Sequence, residues 1–120
     1  MANAPRESGP ALQKFGDSVF LGPKTYTASG AIRASGLVIL NNTSKIELTL
    51  EAPKGAGQLL CIVQIDAGTA GHTVTVPSGV TWDGTNDVAT FDAAGELLLL
   101  VSSSATRWHV IANPSTITFS

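Results

Sequence analysis

The sequence predicts an all-β fold, a small antiparallel β-sandwich of jelly-roll-like or β-tulip type with an extended N-terminal arm. Short runs rich in β-branched, aliphatic and aromatic residues recur between positions 58 and 111. Clusters of Gly, Asp, Asn and Ser separate these runs about every eight to twelve residues, as in sandwiches and barrels. No stretch of about eleven residues keeps an apolar face at helical spacing.

Residues 1–20 are expected to form the arm, and residues 21–120 a single sandwich domain. The first ten residues contain two prolines and a glycine and have no repeating apolar face. Such a segment buries too little apolar surface to fold alone. Phe15 and Phe20 either anchor this arm or open the first strand, and Gly22-Pro23 breaks the pattern after them.

The first part of the domain consists of expected short strands and turns. Residues 25–28 and 37–40 are expected strands. Between them lie two Ala-Ser-Gly triplets, at 28–30 and 34–36, which are two copies and therefore too few to define a solenoid repeat. We interpret the triplets as turns that flank a strand around Ile32.

Residues 45–51 form the clearest predicted strand, because apolar and polar residues alternate along it. Ile46, Leu48 and Leu50 share one side, and charged or hydroxyl side chains share the other. This strand is expected to have one face in the core and one face in water.

Two later strands, 59–65 and 97–101, are apolar on both faces. Strands of this kind lie in the middle of a sheet, or turn one face toward another subunit. Another strand is expected to place Val74 and Val76 on one side, with His72 among the remaining positions.

The C-terminal residues predict a loop and two more strands. Residues 102–104, all serine, are expected to form a polar loop. His109 lies between Trp108 and Val110, and alternation predicts that it points outward. A last strand is expected at 116–119.

Charged residues make up only 13% of the chain and hydrophobic residues 43%, whereas charged residues usually account for about 25%. Part of such a surface is expected to be buried against other chains. The net charge is −2 and no basic cluster is present. This argues against a nucleic-acid partner, which requires a basic face to neutralise phosphates.

Cys61 is the only cysteine, so an intrachain disulfide and a metal site built on cysteine pairs are both excluded. It is expected to be a small buried hydrophobe. The longest apolar run, 97–101, is too short to cross a bilayer, and the N-terminus shows no apolar signal core. We therefore expect a chain made in a cytoplasm, with no membrane partner.

No motif indicates catalysis, a metal or a cofactor. His72 and His109 stand at no recognisable ligand spacing. Residues 83–87 resemble a loose calcium loop, but Asp-Gly and Asn are ordinary turn residues. Residues 102–104 lack a nucleophile elbow, and 67–71 lack the lysine and helix of a phosphate loop. The sequence therefore predicts a protein that is not an enzyme.

Three aromatic residues leave a second possibility open. Trp82, Trp108 and Tyr26 are the residues from which a sugar-binding platform would be built, although packing in a core or interface is the commoner use of such rings. An exposed group of these rings in one shallow site would indicate glycan binding.

One long run resembles a known kind of sequence. Residues 64–86, QIDAGTAGHTVTVPSGVTWDGTN, are similar to a β-domain that recurs in structural proteins of tailed bacteriophages. Residues 89–96 and 106–111 continue the similarity, which covers about half of the chain, residues 58–119. The motif contains no catalytic residues, so it implies a fold and a setting on the virion.

Within that group the size and layout resemble capsid decoration (cement) proteins. The resemblance implies a homotrimer on the outer surface of the head that binds the major capsid protein, stabilises the joints between capsomers and lays an N-terminal arm on the shell. We expect Arg6 and Lys14 to guide docking, and Phe15 and Phe20 to anchor the arm. The alternative is a phage fibre or receptor-binding β-domain that recognises host surface glycans.

Overall fold

The computed structural model describes residues 21–120 in full, preceded by the backbone of two short paired strands, β1 (Gln13–Phe15) and β2 (Ser18–Phe20). The described residues form strands and turns without a helix, and ten strands make two five-stranded sheets around one core. The prediction of an all-β sandwich is confirmed. The ten strands are β3 (Lys24–Tyr26), β4 (Gly30–Ile32), β5 (Gly36–Leu40), β6 (Glu47–Leu50), β7 (Leu59–Gln64), β8 (His72–Thr75), β9 (Val88–Phe91), β10 (Leu97–Ser104), β11 (Arg107–Ala112) and β12 (Thr118–Phe119).

The first sheet has the order β11-β10-β7-β5-β3 and the second the order β12-β9-β8-β6-β4. From β3 to β8 the chain alternates between the sheets, and each strand from β3 to β6 pairs in parallel with the strand two places later. The strands that follow pair antiparallel. The sheets are therefore mixed, whereas the sequence was expected to give purely antiparallel pairing.

The parallel pairing follows from the connections between the early strands. Residues 27–29 and 33–35 carry the chain from one sheet to the other, so the next strand of the same sheet runs in the same direction. Each of the two triplet turns ends at a glycine that begins a strand, Gly30 in β4 and Gly36 in β5. The triplets do flank a strand that contains Ile32.

The core lies between the two sheets and is formed by alternate residues of nearly every strand. Ile46, Leu48 and Leu50 are buried as expected. Each large aliphatic side chain buried in this way contributes about 1.5–3 kcal/mol. Val74 and Val76 are buried too, and His72 lies on their side of the strand. His72 was expected at a position that does not share the side of Val74 and Val76, and this expectation is wrong. The ring points inward because it is hydrogen-bonded to the buried carboxylate of Asp66.

One other local prediction changes. The three serines at 102–104 belong to strand β10, and the turn that follows is Ala105-Thr106. Ser102 is buried there, where it accepts a hydrogen bond from Gln58 N (3.0 Å) and donates one to Gly55 O (2.5 Å). The hydroxyl thus pins the loop before β7, and these contacts satisfy a polar side chain inside the sandwich.

The segment before the domain joins it at the start of the first sheet. Leu37 N–H donates to Leu21 O (3.2 Å), and strand β2 lies against β5 and β7. Gly36 has a φ of 81°, and a Cβ there would lie 2.7 Å from the carbonyl carbon of Leu21. Glycine is required at this position both for its backbone conformation and for the close approach of the two segments of the chain, around Leu21 and Gly36.

Candidate interaction surface

The outward side of the first sheet is apolar. The outward positions of β5 and β7, and those of β10 as far as Val101, are all half-buried and carry no charged side chain. We call this set the apolar face. Its members are Leu37, Ile39, Leu59, Cys61, Val63, Leu97, Leu99 and Val101.

The strand register makes the apolar face continuous. Cys61 lies opposite both Leu37 on β5 and Leu99 on β10. In the same way, Val63 lies opposite Ile39 and Leu97. Residues paired directly across neighbouring strands have Cβ atoms about 4.5–5.5 Å apart, which is close enough for their side chains to pack.

Apolar surface continues past the end and the edge of these three strands. Ile65, which follows β7, and Ile111 on β11 are each 53% exposed, whereas Val110 lies opposite the buried Leu100 and so belongs to the other side of the sheet. Strand β11 is an edge strand with a register irregularity opposite Leu99 and Leu100. Its first residues are covered by a bridge from Thr81 to Arg107. Beyond this bridge, Ile111 at the register irregularity adds an exposed aliphatic side chain to the edge beside the apolar face.

Uncharged polar groups border the apolar face. His109 is exposed and points outward, as predicted, and its Nε2 lies 2.7 Å from Ser103 Oγ. Thr25 on β3 lies opposite Ile39 and is exposed. An apolar centre with a polar border is the usual composition of a protein–protein interface.

The outward side of the second sheet is different. It is rich in threonine, and Lys45 and Glu47 form an exposed ion pair of 3.7 Å beside it. The outward threonines are Thr49, Thr73, Thr75, Thr90 and Thr118. Threonine suits a strand whose outer face is wet. The contrast with this face distinguishes the apolar face from an ordinary solvated one.

A buried polar cluster fastens the loop between β7 and β8. His72 Nε2 lies 3.2 Å from Asp66 Oδ1, and both residues are buried. Ile46 N–H donates to His72 Nδ1 (3.1 Å), so the neutral ring donates through Nε2. Because both ring nitrogens are engaged and shielded from water, the pair resembles half of a catalytic triad but cannot serve a substrate.

The carboxylate of Asp66 collects further donors. Asn42 N–H donates to it at 2.9 Å, Gly68 N–H at 3.0 Å and Gln64 Nε2 at 3.1 Å. Burial by itself raises the pKa of Asp66, but the hydrogen bonds from Asn42, His72 and Gly68 outweigh it, so the pKa lies below its ordinary value. The glycine-rich segment 67–71 is thus a tight turn held by an ionised carboxylate.

Residues 83–87 form a turn around Asp83. Its carboxylate accepts hydrogen bonds from Thr85 N (3.0 Å), Asn86 N (2.8 Å) and Asn86 Nδ2 (2.9 Å). Arg107 Nη2 donates to Asp83 O (3.1 Å). The carboxylate oxygens are used within the loop, as in an Asx turn. These contacts are the turn chemistry that the sequence predicts for residues 83–87.

The aromatic residues do not form a platform. Trp82 and Trp108 are both 0% exposed, and their ring centroids lie 6.5 Å apart inside the core. Phe119 packs on Trp82 at 6.2 Å. Tyr26 is half-buried, packs against the core and accepts a hydrogen bond from Arg33 N (3.3 Å). The exposed group of rings that glycan binding would require is therefore absent from the described surface.

The residues expected to touch a capsid lie outside the part that can be described. Arg6 is not among the described residues, and for Lys14, Phe15 and Phe20 only the strand backbone is described. Elsewhere, His72 and His109 do not converge, and no group of three or more His, Cys, Asp or Glu side chains within residues 21–120 could hold a metal ion. The apolar face replaces these residues as the candidate site.

The sequence predicted part of the apolar face. The runs 59–65 and 97–101 were expected to be apolar on both sides, and β7 and β10 do lie inside the sheet. Leu37 and Ile39 were not expected to join them, since their strand was expected only to be buried. The parallel pairing of β5 with β7 places Leu37 and Ile39 beside Cys61 and Val63. The order of residues within one strand does not show which strand it pairs with.

No protein-family model matches the chain, and neither does any curated protein. In the part of the chain that the structure describes, no helix is long and apolar enough to cross a membrane. A function for this chain is therefore inferred from its described surface and from its buried polar groups.

Proposed function

We propose that this chain is a non-enzymatic capsid decoration (cement) protein of a tailed bacteriophage. It binds the outer surface of the head as a homotrimer, contacts the major capsid protein and stabilises the joints between capsomers. The observation that carries the proposal is the uncharged apolar face on a small sandwich, which marks a protein completed by assembly. The similarity of residues 64–86 to phage structural domains supplies the setting.

The proposed mechanism is mechanical and needs no chemistry. Packaged DNA presses outward, and the joints between capsomers are where a shell would separate. A trimer that contacts several capsomers holds each further contact at high effective concentration, so weak individual contacts give strong attachment. Because the trimer binds the assembled shell and not its separated parts, it stabilises the shell by mass action.

The N-terminal segment is assigned the contact with the shell. Arg6 and Lys14 would steer it toward an acidic capsid surface, and Phe15 and Phe20 would supply apolar anchors. The domain supports this assignment because Leu21 is fixed to β5 by the Leu37 N–H bond, so the residues before it start from a defined point. Ordering such a segment costs conformational entropy, which the anchors must exceed.

The alternative, a glycan-binding fibre domain, has less support. It required Trp82, Trp108 or Tyr26 to be grouped at the surface, and the two indoles are fully buried. A polar cleft with convergent hydrogen-bonding groups beside an exposed ring would be needed instead.

Undecorated heads of the parent phage provide the test. Heads are mixed with the full chain, with a Phe15→Ser/Phe20→Ser double variant, and with Thr90→Ser as a control remote from the segment; binding is followed by cosedimentation and electron microscopy. We expect the full chain and the control to add density at the capsomer joints and to raise the temperature at which heads release DNA. The double variant should lose most of its binding.

Two results would reject the proposal. One is a full chain that leaves heads undecorated at concentrations well above those of a normal lysate. The other is a chain that binds tail fibres and not heads when complete phage particles replace the heads in the same assay, which would favour the glycan-binding alternative. Equal binding by the double variant would reject only the assignment of the N-terminal segment.

A further inference from the structure

We infer that the apolar face is the surface through which copies of this chain pack on one another, so that its occupant is a second copy rather than the shell. The inference rests on the proposed function only for the number of subunits, since self-association can be measured without any capsid. Under this inference the apolar face binds other copies of the chain, and the N-terminal segment binds the capsid.

Charge identifies the occupant. The outward positions of β5, β7 and β10 carry no charged group, and their border is made of Thr25, Ser103 and His109. A charged partner would gain no ion pair there and would lose hydration of its own charges. A second copy offers an equally neutral and apolar surface, so the two can meet without burying an unpaired charge.

The extent of the apolar surface fits the centre of such an interface. Four neighbouring strands and the extension at Ile65 give a flat footprint of about 400 Å². The largest patch on an ordinary monomer is about 300–600 Å², and a standard interface takes about 800 Å² from each partner. The apolar face together with β11 and Ile65 therefore provides about half of that area, and the polar border around it supplies further surface.

The edge of β11 favours packing between faces over extension of the sheet. The irregularity opposite Leu99 and Leu100 and the bridge from Thr81 interrupt the row of backbone groups that a new strand would need. Bulges of this kind protect edges from strand addition. Side chains such as Ile111, which is 53% exposed, remain available to a neighbouring face. A contact between the apolar face of one copy and the β11 edge of the next is head-to-tail, and such a contact closes into a ring, such as a trimer, when the rotation between the copies permits closure.

Cys61 provides a reporter within the apolar face. It is a free, half-buried thiol between Leu37 and Leu99. Burial raises the pKa of this thiol, so its reaction with a thiol reagent is slow and increases when its cover is removed. The rate of labelling thus reports whether the face is covered.

The experiment compares matched lysine substitutions on the two sheets. Val63→Lys and Thr75→Lys change half-buried outward positions on the central strand of each sheet, and Leu99→Lys and Thr90→Lys do so one strand from the edge. Molar mass is measured by light scattering and sedimentation across a wide concentration range, with circular dichroism to check folding. Cys61 labelling is measured on the same samples.

We expect the native chain and both threonine variants to have the mass of an oligomer, and Val63→Lys and Leu99→Lys to fall to the 12.3 kDa of one chain. Cys61 labelling should slow as the native protein is concentrated and should become fast and independent of concentration in Leu99→Lys. If the lysine variants do not fold, the concentration dependence in the native chain still decides the question.

Several outcomes would overturn the inference. A native chain of 12.3 kDa at every concentration would do so, as would oligomers unaffected by Val63→Lys and Leu99→Lys or equally disrupted by Thr90→Lys. A monomer whose Cys61 is nevertheless slow to react would show that the chain's own N-terminal residues cover the face. Oligomers formed through the face that fail to bind heads would leave the inference intact and reject the proposed function.

Discussion

His72 and Asp66 form a buried hydrogen-bonded pair that closes the loop between β7 and β8. The ring Nε2 lies 3.2 Å from Oδ1 and 3.3 Å from Oδ2 of the carboxylate. The same carboxylate accepts a hydrogen bond from Asn42 N–H in the loop after β5. One ionised side chain thus ties the β5–β6 and β7–β8 crossings of the sandwich together, and its removal should affect the whole domain.

Replacing this carboxylate tests that role. Asp66→Asn keeps the shape but removes the charge and at least one acceptor, leaving buried donors such as Asn42 N–H poorly paired. We expect the free energy of unfolding to fall by about 2–3 kcal/mol. Urea denaturation followed by tryptophan fluorescence measures it. Asp92→Asn, at an exposed position, is the control and should stay within about 0.5 kcal/mol of the native chain.

The pH dependence of stability follows from the same carboxylate. The pKa of Asp66 is lower in the folded chain than in the unfolded chain, so the unfolded state takes up the proton first as the pH falls. The contribution of Asp66 is therefore fully present above the ordinary Asp pKa of about 4 and is lost as the pH falls through the lower folded-state value. The pKa of Asp83 is also lowered, chiefly by the hydrogen bond from Asn86 N–H, and acts in the same direction.

Unfolding free energies measured between neutral and acid pH check this expectation. The native chain should lose stability steeply below about pH 4. Asp66→Asn should show a shallower acid limb, with the part due to Asp83 remaining. Parallel acid limbs in the two proteins would contradict the assigned role of Asp66.

The sequence predicted what depends on neighbouring residues. Alternation in 45–51 placed Ile46, Leu48 and Leu50 in the core correctly, and the position of His109 outside followed from the same rule. The two-sided apolar runs identified β7 and β10 as inner strands. Each of these conclusions needs only the two-residue period of a strand.

What the sequence did not predict depends on distant residues. The direction of pairing between β5 and β7 is set by crossings through the other sheet, and a pattern within one strand does not contain it. His72 points inward because Asp66, six positions away, turns back toward it across a tight turn. The apolar face likewise appears only when the register brings Leu37 and Leu99 to either side of Cys61.

Gly36 tests how closely the N-terminal segment is joined to the domain. Gly36→Ala places a Cβ against the backbone of Leu21 and forces a left-handed conformation with a φ of 81°. We expect a loss of about 2–3 kcal/mol, because neither the backbone contact nor the conformation can relax cheaply. Thermal unfolding measures the loss. Gly55→Ala is the matched control, since no described atom lies within 4 Å of its Cβ position; an equal loss there would contradict the prediction.

The two buried indoles should respond differently to loss of their N–H groups. Trp82 Nε1 donates to Asp87 O (3.1 Å), whereas no acceptor among the described residues bonds to the buried Nε1 of Trp108. Both rings are fully buried and stacked, so phenylalanine leaves a similar cavity at either site. Trp82→Phe also removes one of the two hydrogen bonds that Asp87 O accepts, the other being from Val76 N–H (3.0 Å), while Trp108→Phe removes a donor that has no bond to lose. We therefore expect Trp82→Phe to cost about 1 kcal/mol more than Trp108→Phe in urea denaturation. Equal losses, or a greater loss at Trp108, would mean that the hydrogen bond to Asp87 does not contribute to stability.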